Sequence, residues 1–290
     1  ARYGTAGTGN ASYGWFGGGW PVWMSLVDRI DYSNDTATAT TKGPLSAARN
    51  YVAAVGAREN VLPIGDIIYS TTVSSSEEVS GTKNTVVGNN FGYWCGGDPG
   101  PAGGTLVNRI DFDNDTASAT PKGNLTVARR DSGANGVSTL DYGYNGGGYT
   151  PSDRVSSIDR IDYSNDTATA LVRGPLTVEM NGLGAAGNTD YSYWMGGRGP
   201  GPSGNVYYTV LARLDYSSDT SACAPKGPLT ATQAYNGAVG NMNCGYFIGG
   251  KNPTRSSILR IDYSNDTTQS MRGNLSATKY GVMGAGNKDF

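Results

Sequence analysis

The sequence predicts an all-β fold: a single β-propeller of six four-stranded blades, the second of them shortened. Three observations predict it. The string RIDYSNDTATA, opening at Arg29, returns almost unchanged at Arg160, and looser versions open at Arg109, Arg213 and Arg260. After a first gap of 80 residues those arginines lie 51, 53 and 47 apart, and about 50 residues is a blade length. Each full unit also divides into four short pieces of period-two alternation separated by turn residues, with no helical stripe.

The unit following Arg130 shows the four pieces in order. DSGANGVST is the small-residue strand that a crowded ring axis demands, as are GLGAAG (Gly182 to Gly187) and GVMGAG (Gly281 to Gly286) in other copies. DYGYNGGG brings aromatic residues into a run of glycines. SSIDRIDYS alternates and is β-branched. An Asn-Asp pair then makes a turn, because both tolerate left-handed backbone, and TATALVRGPL closes the unit. The blades are expected at 1–47, 48–80, 81–127, 128–177, 178–230 and 231–290, within one domain covering 1–290. Asn50 to Ser80 is read as the shortened copy, IIYSTTV standing for the RIDY strand. The segment ATKYGVMGAGNKDF resembles the first strand of another copy, surplus to six, so seven blades is the alternative.

Composition agrees with short strands and tight turns: 44 glycines in 290 residues, and 19 tyrosines against 5 phenylalanines. A net charge of −2 gives no field to attract nucleic acid. No apolar run reaches the ~18 residues of a membrane span, so no membrane insertion is expected. The chain opens in mid-repeat, which suits a fragment of something longer. Three cysteines are read as core thiols rather than a disulfide framework, and the absence of histidine excludes histidine-based triads and metal sites. No cofactor and no metal is expected. DFDNDT (Asp111 to Thr116) starts like a calcium loop but lacks its glycine and distal glutamate, and is read as a turn. Asn34, Asn114, Asn165 and Asn265 stand in formal glycosylation acceptors, as do Asn10, Asn124 and Asn274.

The motif itself is read as structural. Arg29 with Asp31, Arg109 with Asp111, Arg160 with Asp162, Arg213 with Asp215 and Arg260 with Asp262 lie two residues apart on one strand face. They are expected to form repeated ion pairs, local or between blades. Related by ring symmetry, these arginines do not converge on one substrate, so a sialidase-like cluster is not expected of them.

The order of small strand, aromatic strand ending in Gly-Gly, variable loop and Asp-Tyr strand resembles the kelch repeat. The glycine pairs follow Trp15, Trp94, Tyr144, Trp194 and Phe247, and the kelch-type Tyr resembles Tyr32, Phe112, Tyr163, Tyr216 and Tyr263. The kelch Trp of the fourth strand is replaced by Thr or Ala. The wording SIDRIDYSNDTATA…GPLTV is also similar to kelch-like repeats in virion and tail-fibre proteins of marine bacteriophages. That resemblance implies a place on a virus particle.

Function is expected in the loops after each Gly-Gly, which differ in every copy while the framework recurs. They carry Trp20, Trp23, Asp98, Tyr149, Asp153, Arg198, Tyr207, Tyr208, Lys251 and Arg255 as candidate binding residues on one face of the ring. The expected function is a non-enzymatic structural or receptor-binding module of a virion, with other virion proteins, or a host surface glycan or protein, as partners, and with homo-oligomers open. A cellular or secreted kelch-type adaptor and a carbohydrate-active enzyme are the alternatives.

Overall fold

The computed structural model describes residues 2–57, 90–98, 104–133, 137–202, 204–266, 269–282 and 284–285. Among these the fold is a β-propeller, with five small antiparallel blade sheets, one further two-stranded hairpin, five single 3-10 turns and no α-helix. The first blade is Ala6–Gly9, Tyr13–Gly17, Val27–Asp31 and Thr40–Lys42. The second is Ala53–Gly56, Phe91–Cys95, Val107–Asp111 and Thr120–Pro121. The third is Tyr142–Gly146, Ile158–Asp162 and Leu171–Arg173, with bridges from Gly133 and Ser138 in the inner place. The fourth is Gly184–Gly187, Tyr191–Met195, Leu211–Asp215 and Ala224–Pro225. The fifth is Gly237–Gly240, Cys244–Ile248, Arg255–Asp262 and Gln269–Lys279.

Small side chains select the inner strands. AGTG, AAVG and GAAG are buried throughout, and a Cβ on Gly7 would meet the Gly284 carbonyl at 2.9 Å. The second strands carry the bulk: Trp15, Tyr93, Trp94, Tyr144, Tyr193 and Trp194 are no more than 1% exposed. They fill the space between blades, where most of the apolar burial of a propeller must come from.

The repeated string is an inter-blade clamp. Arg29 binds Asp115 at 2.9 Å, Arg109 binds Asp166 at 2.8 Å, Arg160 binds Asp219 at 2.7 Å, and Arg213 binds Asp266. In each case the carboxylate is the Asp of the Asn-Asp (or Ser-Asp) turn on the following blade. A second cation completes each pair: Lys42, Lys122, Arg173 and Lys226. The expected partners two residues along do something else. Asp31, Asp111, Asp162, Asp215 and Asp262 each accept the backbone N–H two residues on, capping a 3-10 turn. The arginine points across the interface while this acid is spent on its own turn, so of the pairings expected within the motif, Arg260 to Asp262 alone falls within ion-pair range, at 3.8 Å. The motif aromatic works in the opposite direction. Phe112 stacks on Trp15, Tyr163 on Tyr93, Tyr216 on Tyr144 and Tyr263 on Tyr193, with centroids 4.0–5.0 Å apart.

The second blade differs from the expected arrangement. Residues 53–56, expected in a separate shortened blade, are the inner strand of the sheet that holds Phe91–Cys95. The remainder of that expectation, 58–80, lies outside the described residues. The ring nevertheless has six positions. Gly4, Tyr51, Asp131, Gly182, Tyr235 and Gly281 all have φ between 49° and 67°. From Tyr51 onward each donates its N–H to the carbonyl of the one before, at 2.6–3.1 Å. The sixth position belongs to Gly281, Val282, Gly284 and Ala285, which lie between the fifth and first blades: Val282 against Gly237, Ala285 against Gly14.

A cationic depression at the axial mouth

The ring of left-handed residues sits at the mouth of the propeller axis, and the sequence around it breaks the repeat. The three residues entering each inner strand read Arg2-Tyr3-Gly4, Arg49-Asn50-Tyr51, Arg129-Arg130-Asp131, Met180-Asn181-Gly182, Gln233-Ala234-Tyr235 and Lys279-Tyr280-Gly281. The middle residue of the first five bridges the residue just after a Gly-Gly: Tyr3 to Trp20, Asn50 to Asp98, Arg130 to Tyr149, Asn181 to Arg198, Ala234 to Lys251. The glycines make this possible. Gly97 has φ 93° and Gly197 φ 102°, a region that L side chains avoid, and the chain turns there back toward the axis.

The first residue of each triplet is framework. Arg49 and Arg129 are buried, and each donates to one carbonyl of a Gly-Gly turn (Gly96, Gly147) and one just before the third strand (Leu106, Ser157), at 2.8–2.9 Å. Their remaining nitrogens meet Asn108 and Asp159. Where the framework residue is Met180, the facing residue is Ala212, so the polar pair is replaced as a unit.

The second and third residues line the mouth. A depression of about 330 Å³ is lined by Tyr3, Tyr51, Arg130, Asp131, Tyr235, Lys251, Tyr280 and Gly281. It is continuous, through Arg130, Asp131 and Tyr235, with a second of about 290 Å³ that adds Tyr149, Arg154, Asn181, Arg198 and Asn205. Arg130 is paired with Asp98. The Tyr149 ring has the guanidinium carbons of Arg130 and Arg154 at 5.2 and 5.0 Å from its centroid. Buried Asn181 holds the floor together: its amide reaches Tyr235 Oη at 3.3 Å and Asp131 at 3.5 Å, and its oxygen accepts from Arg154 Nε at 3.3 Å. Four cations, Arg130, Arg154, Arg198 and Lys251, thus line the depression with one carboxylate, Asp131, while Asp98 and Asp153 pair with Arg130 and Arg154.

Desolvation shapes the titration here. It pushes the Asp131 carboxyl up to about 7, against the pull of Arg130, the Asn181 hydrogen bond and Arg198. It also pushes the Tyr51 phenol up to about 12, with Asp131 adding to the effect. A half-protonated acid among arginines and phenols can donate or accept a proton near neutral pH.

Of the loop residues singled out from sequence, Tyr149, Arg198 and Lys251 line this depression and Asp98 enters through Arg130. Trp20 and Trp23 stand exposed on the first blade's loop, at 37% and 47%. Asp153 is exposed and reaches Arg154 at 3.5 Å. Tyr207 pairs with Arg198 in the hairpin Arg198–Gly201 with Gly204–Tyr207, and Tyr208 donates its hydroxyl to the Pro200 carbonyl at 2.6 Å. Arg255 opens the long strand of the fifth blade opposite Lys279. Sequence reading missed Tyr51, Arg130, Asp131, Arg154, Asn181 and Tyr235. The signal was available: aligning the copies on their glycine pairs shows RNY, RRD, MNG and QAY where a framework would repeat.

The depression holds no cluster of three metal-ligating side chains among the described residues, and none of the described helices is long and apolar enough to cross a membrane. No family model matches the chain, and no curated protein matches it. Among solved structures it is similar to YjhT, with a TM-score of 0.70 over 98% of this chain and 87% of that one, at 10% identity. At that identity the likeness speaks for the propeller fold and for nothing finer.

Proposed function

We propose that the chain is a non-enzymatic receptor-binding propeller that takes an acidic, hydroxyl-rich ligand, such as a charged surface glycan, at the axial mouth. One observation carries the reading. Arg130, Arg154 and Arg198 surround a single depression, at positions where the repeat departs from its own framework. Guanidinium groups suit carboxylates, sulfates and phosphates, and tyrosine faces suit sugar rings. Four of the five motif arginines are absorbed in inter-blade pairs and the fifth, Arg260, lies by its own blade's Asp262, so these three are a separate set. The test is calorimetric titration, or a glycan array, with acidic and neutral oligosaccharides. Acidic ligands should bind more tightly, and Arg198→Ala should weaken them at least tenfold with the melting temperature unchanged. Equal affinity for neutral sugars would remove the reading.

The setting we propose is the surface of a virus particle. It is supported by the resemblance of the repeated wording to bacteriophage virion proteins with kelch-like repeats. Mass spectrometry of purified particles tests it, and absence of the chain from them refutes it.

A carbohydrate-active enzyme is the second reading, favoured by Asp131. An acid that titrates near 7 beside Tyr235 is placed as a general acid would be. Turnover of an acidic glycan, abolished by Asp131→Asn with binding kept, would establish it over the first.

A further inference from the structure

Each of the four blade interfaces from the first to the fifth is closed by the same parts, and among the described residues one complete set of these parts is left over around the sixth ring position. On the fifth blade, the aromatic that should receive a neighbour's ring is Tyr246. It is half-buried, whereas its counterparts Trp15, Tyr93, Tyr144 and Tyr193 are 0–1% exposed. Arg260, the counterpart of Arg29, Arg109, Arg160 and Arg213, has as its nearest carboxylate among the described residues its own blade's Asp262, at 3.8 Å. Leu275 is half-buried where Leu45, Leu125, Leu176 and Leu229 are 2–4% exposed. A Cβ on Gly43, Gly123 or Gly174 would lie 1.7–1.8 Å from a carbonyl of the next blade's turn, but one on Gly273 would meet nothing within 4 Å.

The first blade carries the complementary halves. Asp35, counterpart of Asp115, Asp166 and Asp219, is exposed, where those three are 6–8% exposed. Ala39 is exposed where Ala119, Ala170 and Cys223 are 3–7% exposed. Between these two unfinished faces the inner strand position is already filled, by Val282, Gly284 and Ala285. The wording GNKDF at 286–290 has the register of GNTDY (Gly187 to Tyr191) and GNMNC (Gly240 to Cys244), which lead from inner to second strand in the fourth and fifth blades.

We propose that the slot between the fifth and first blades is an acceptor for one further copy of the repeat. Its occupant is a three-stranded β-element that pairs with the inner residues Val282, Gly284 and Ala285. That element offers an aspartate to Arg260, an arginine to Asp35 and an aromatic ring to Tyr246. Charge complementarity fixes its orientation: cation on the fifth blade, anion on the first. Register fixes its connection, and the open space at Gly273 is where its turn packs.

The test uses the 290-residue chain and the same chain with a second copy of residues 245–280 appended directly after Phe290. The appended Asp266 then faces Arg260 and the appended Arg260 faces Asp35. The extended chain should melt at least about 5 °C higher, and exchange of the Gly273 amide should slow at least tenfold. Arg260→Glu should remove more than half of the gain in the extended chain and shift the 290-residue chain by about 1 °C or less. A second appended copy, residues 192–232 of the fourth repeat, guards against one sequence that fails to fold. Unchanged melting and exchange with both copies would overturn the proposal. So would an Arg260→Glu cost that is equal in both chains. Sedimentation showing the 290-residue chain to be a dimer that Arg260→Glu dissociates would also overturn it, because a second copy would then fill the slot.

Discussion

Arg160 of the third blade binds Asp219 of the fourth at 2.7 Å, and the same carboxylate takes Arg173 at 3.1 Å and the Tyr144 hydroxyl at 3.0 Å. Three donors from one blade thus converge on one acceptor of the next. With both partners largely covered, removing the acid strands two cations in a poorly solvated interface. Asp219→Ala should therefore cost about 3–5 kcal/mol, a large part of the ~5–15 kcal/mol that holds most domains. Asp35→Ala, at the exposed counterpart, should stay within about 0.5 kcal/mol. Urea denaturation of both variants checks this. Equal costs would show that the pairing contributes nothing specific to the interface.

How much of this was legible follows from where the repeat holds and where it breaks. The clamp residues recur at a fixed period, so the blade and its inner, aromatic and outer strands could be read from wording alone. The partner of Arg29 could not, because Asp115 is 86 residues away and competes with the nearer Asp31 for any local reading. The mouth was half legible. Tyr149, Arg198 and Lys251 follow glycine pairs and advertise themselves, whereas Tyr51, Asp131 and Tyr235 occupy left-handed backbone that most often signals glycine. Arg129 and Arg130 illustrate the difficulty: adjacent and identical, one is sealed against Gly147 and Asp159 and the other faces the axial depression. Residues 50–57 misled because NYVAAVG reads as the small-residue strand of a separate shortened blade, while Ala53–Gly56 in fact pairs with Phe91–Cys95; the rest of that reading, from 58 to 80, lies outside the described residues.

The framework arginine can be replaced only together with its partner. Arg129, fully buried, bonds Asp159 at 3.2 Å and the carbonyls of Gly147 and Ser157. The fourth blade solves the same position with Met180 and Ala212. Arg129→Met alone should cost about 3–5 kcal/mol, because Asp159 keeps its charge without its guanidinium. Adding Asp159→Ala should restore about half or more of the loss, the remainder reflecting the Thr126 N–H and hydroxyl that also bond Asp159. A double-mutant cycle by thermal denaturation reads the coupling. Strict additivity would contradict it.

The Gly-Pro-Leu or Gly-Asn-Leu that closes each unit keeps its glycine for contact at the closed interfaces, since a Cβ at Gly174 would sit 1.7 Å from the Ser221 carbonyl. That oxygen belongs to the next blade's backbone and cannot rotate away. Gly174→Ala should destabilise by more than about 3 kcal/mol through overpacking, beyond the ordinary ~1–3 kcal/mol range. Gly273→Ala, with open space around it, should be neutral or slightly stabilising in the 290-residue chain, because alanine restricts the unfolded chain. Paired melting curves decide. Similar effects at the two sites would mean that the blade contact at Gly174 yields.

Asp131 predicts the pH dependence of binding. Desolvation holds its carboxyl near 7, and it is surrounded by Arg130, Asp98, Arg198, Tyr51 and Tyr235. The folded value lies above the ordinary 3.8, so the protonated form is the one the fold favours. Its contribution to stability is therefore complete below about 4 and lost as pH rises through about 7. Binding follows the same sign. Below 7 the mouth sheds one negative charge, so an acidic ligand should bind more tightly at pH 6 than at pH 8, by about five- to tenfold, within the tenfold-per-unit ceiling for one proton. Asp131→Asn should abolish that slope while keeping the tighter, low-pH affinity at both values. A neutral sugar should show no slope in either protein. Calorimetric titrations at pH 6, 7 and 8 measure all three. A flat profile in the unaltered chain, or a slope that survives Asp131→Asn, would place the titrating group elsewhere.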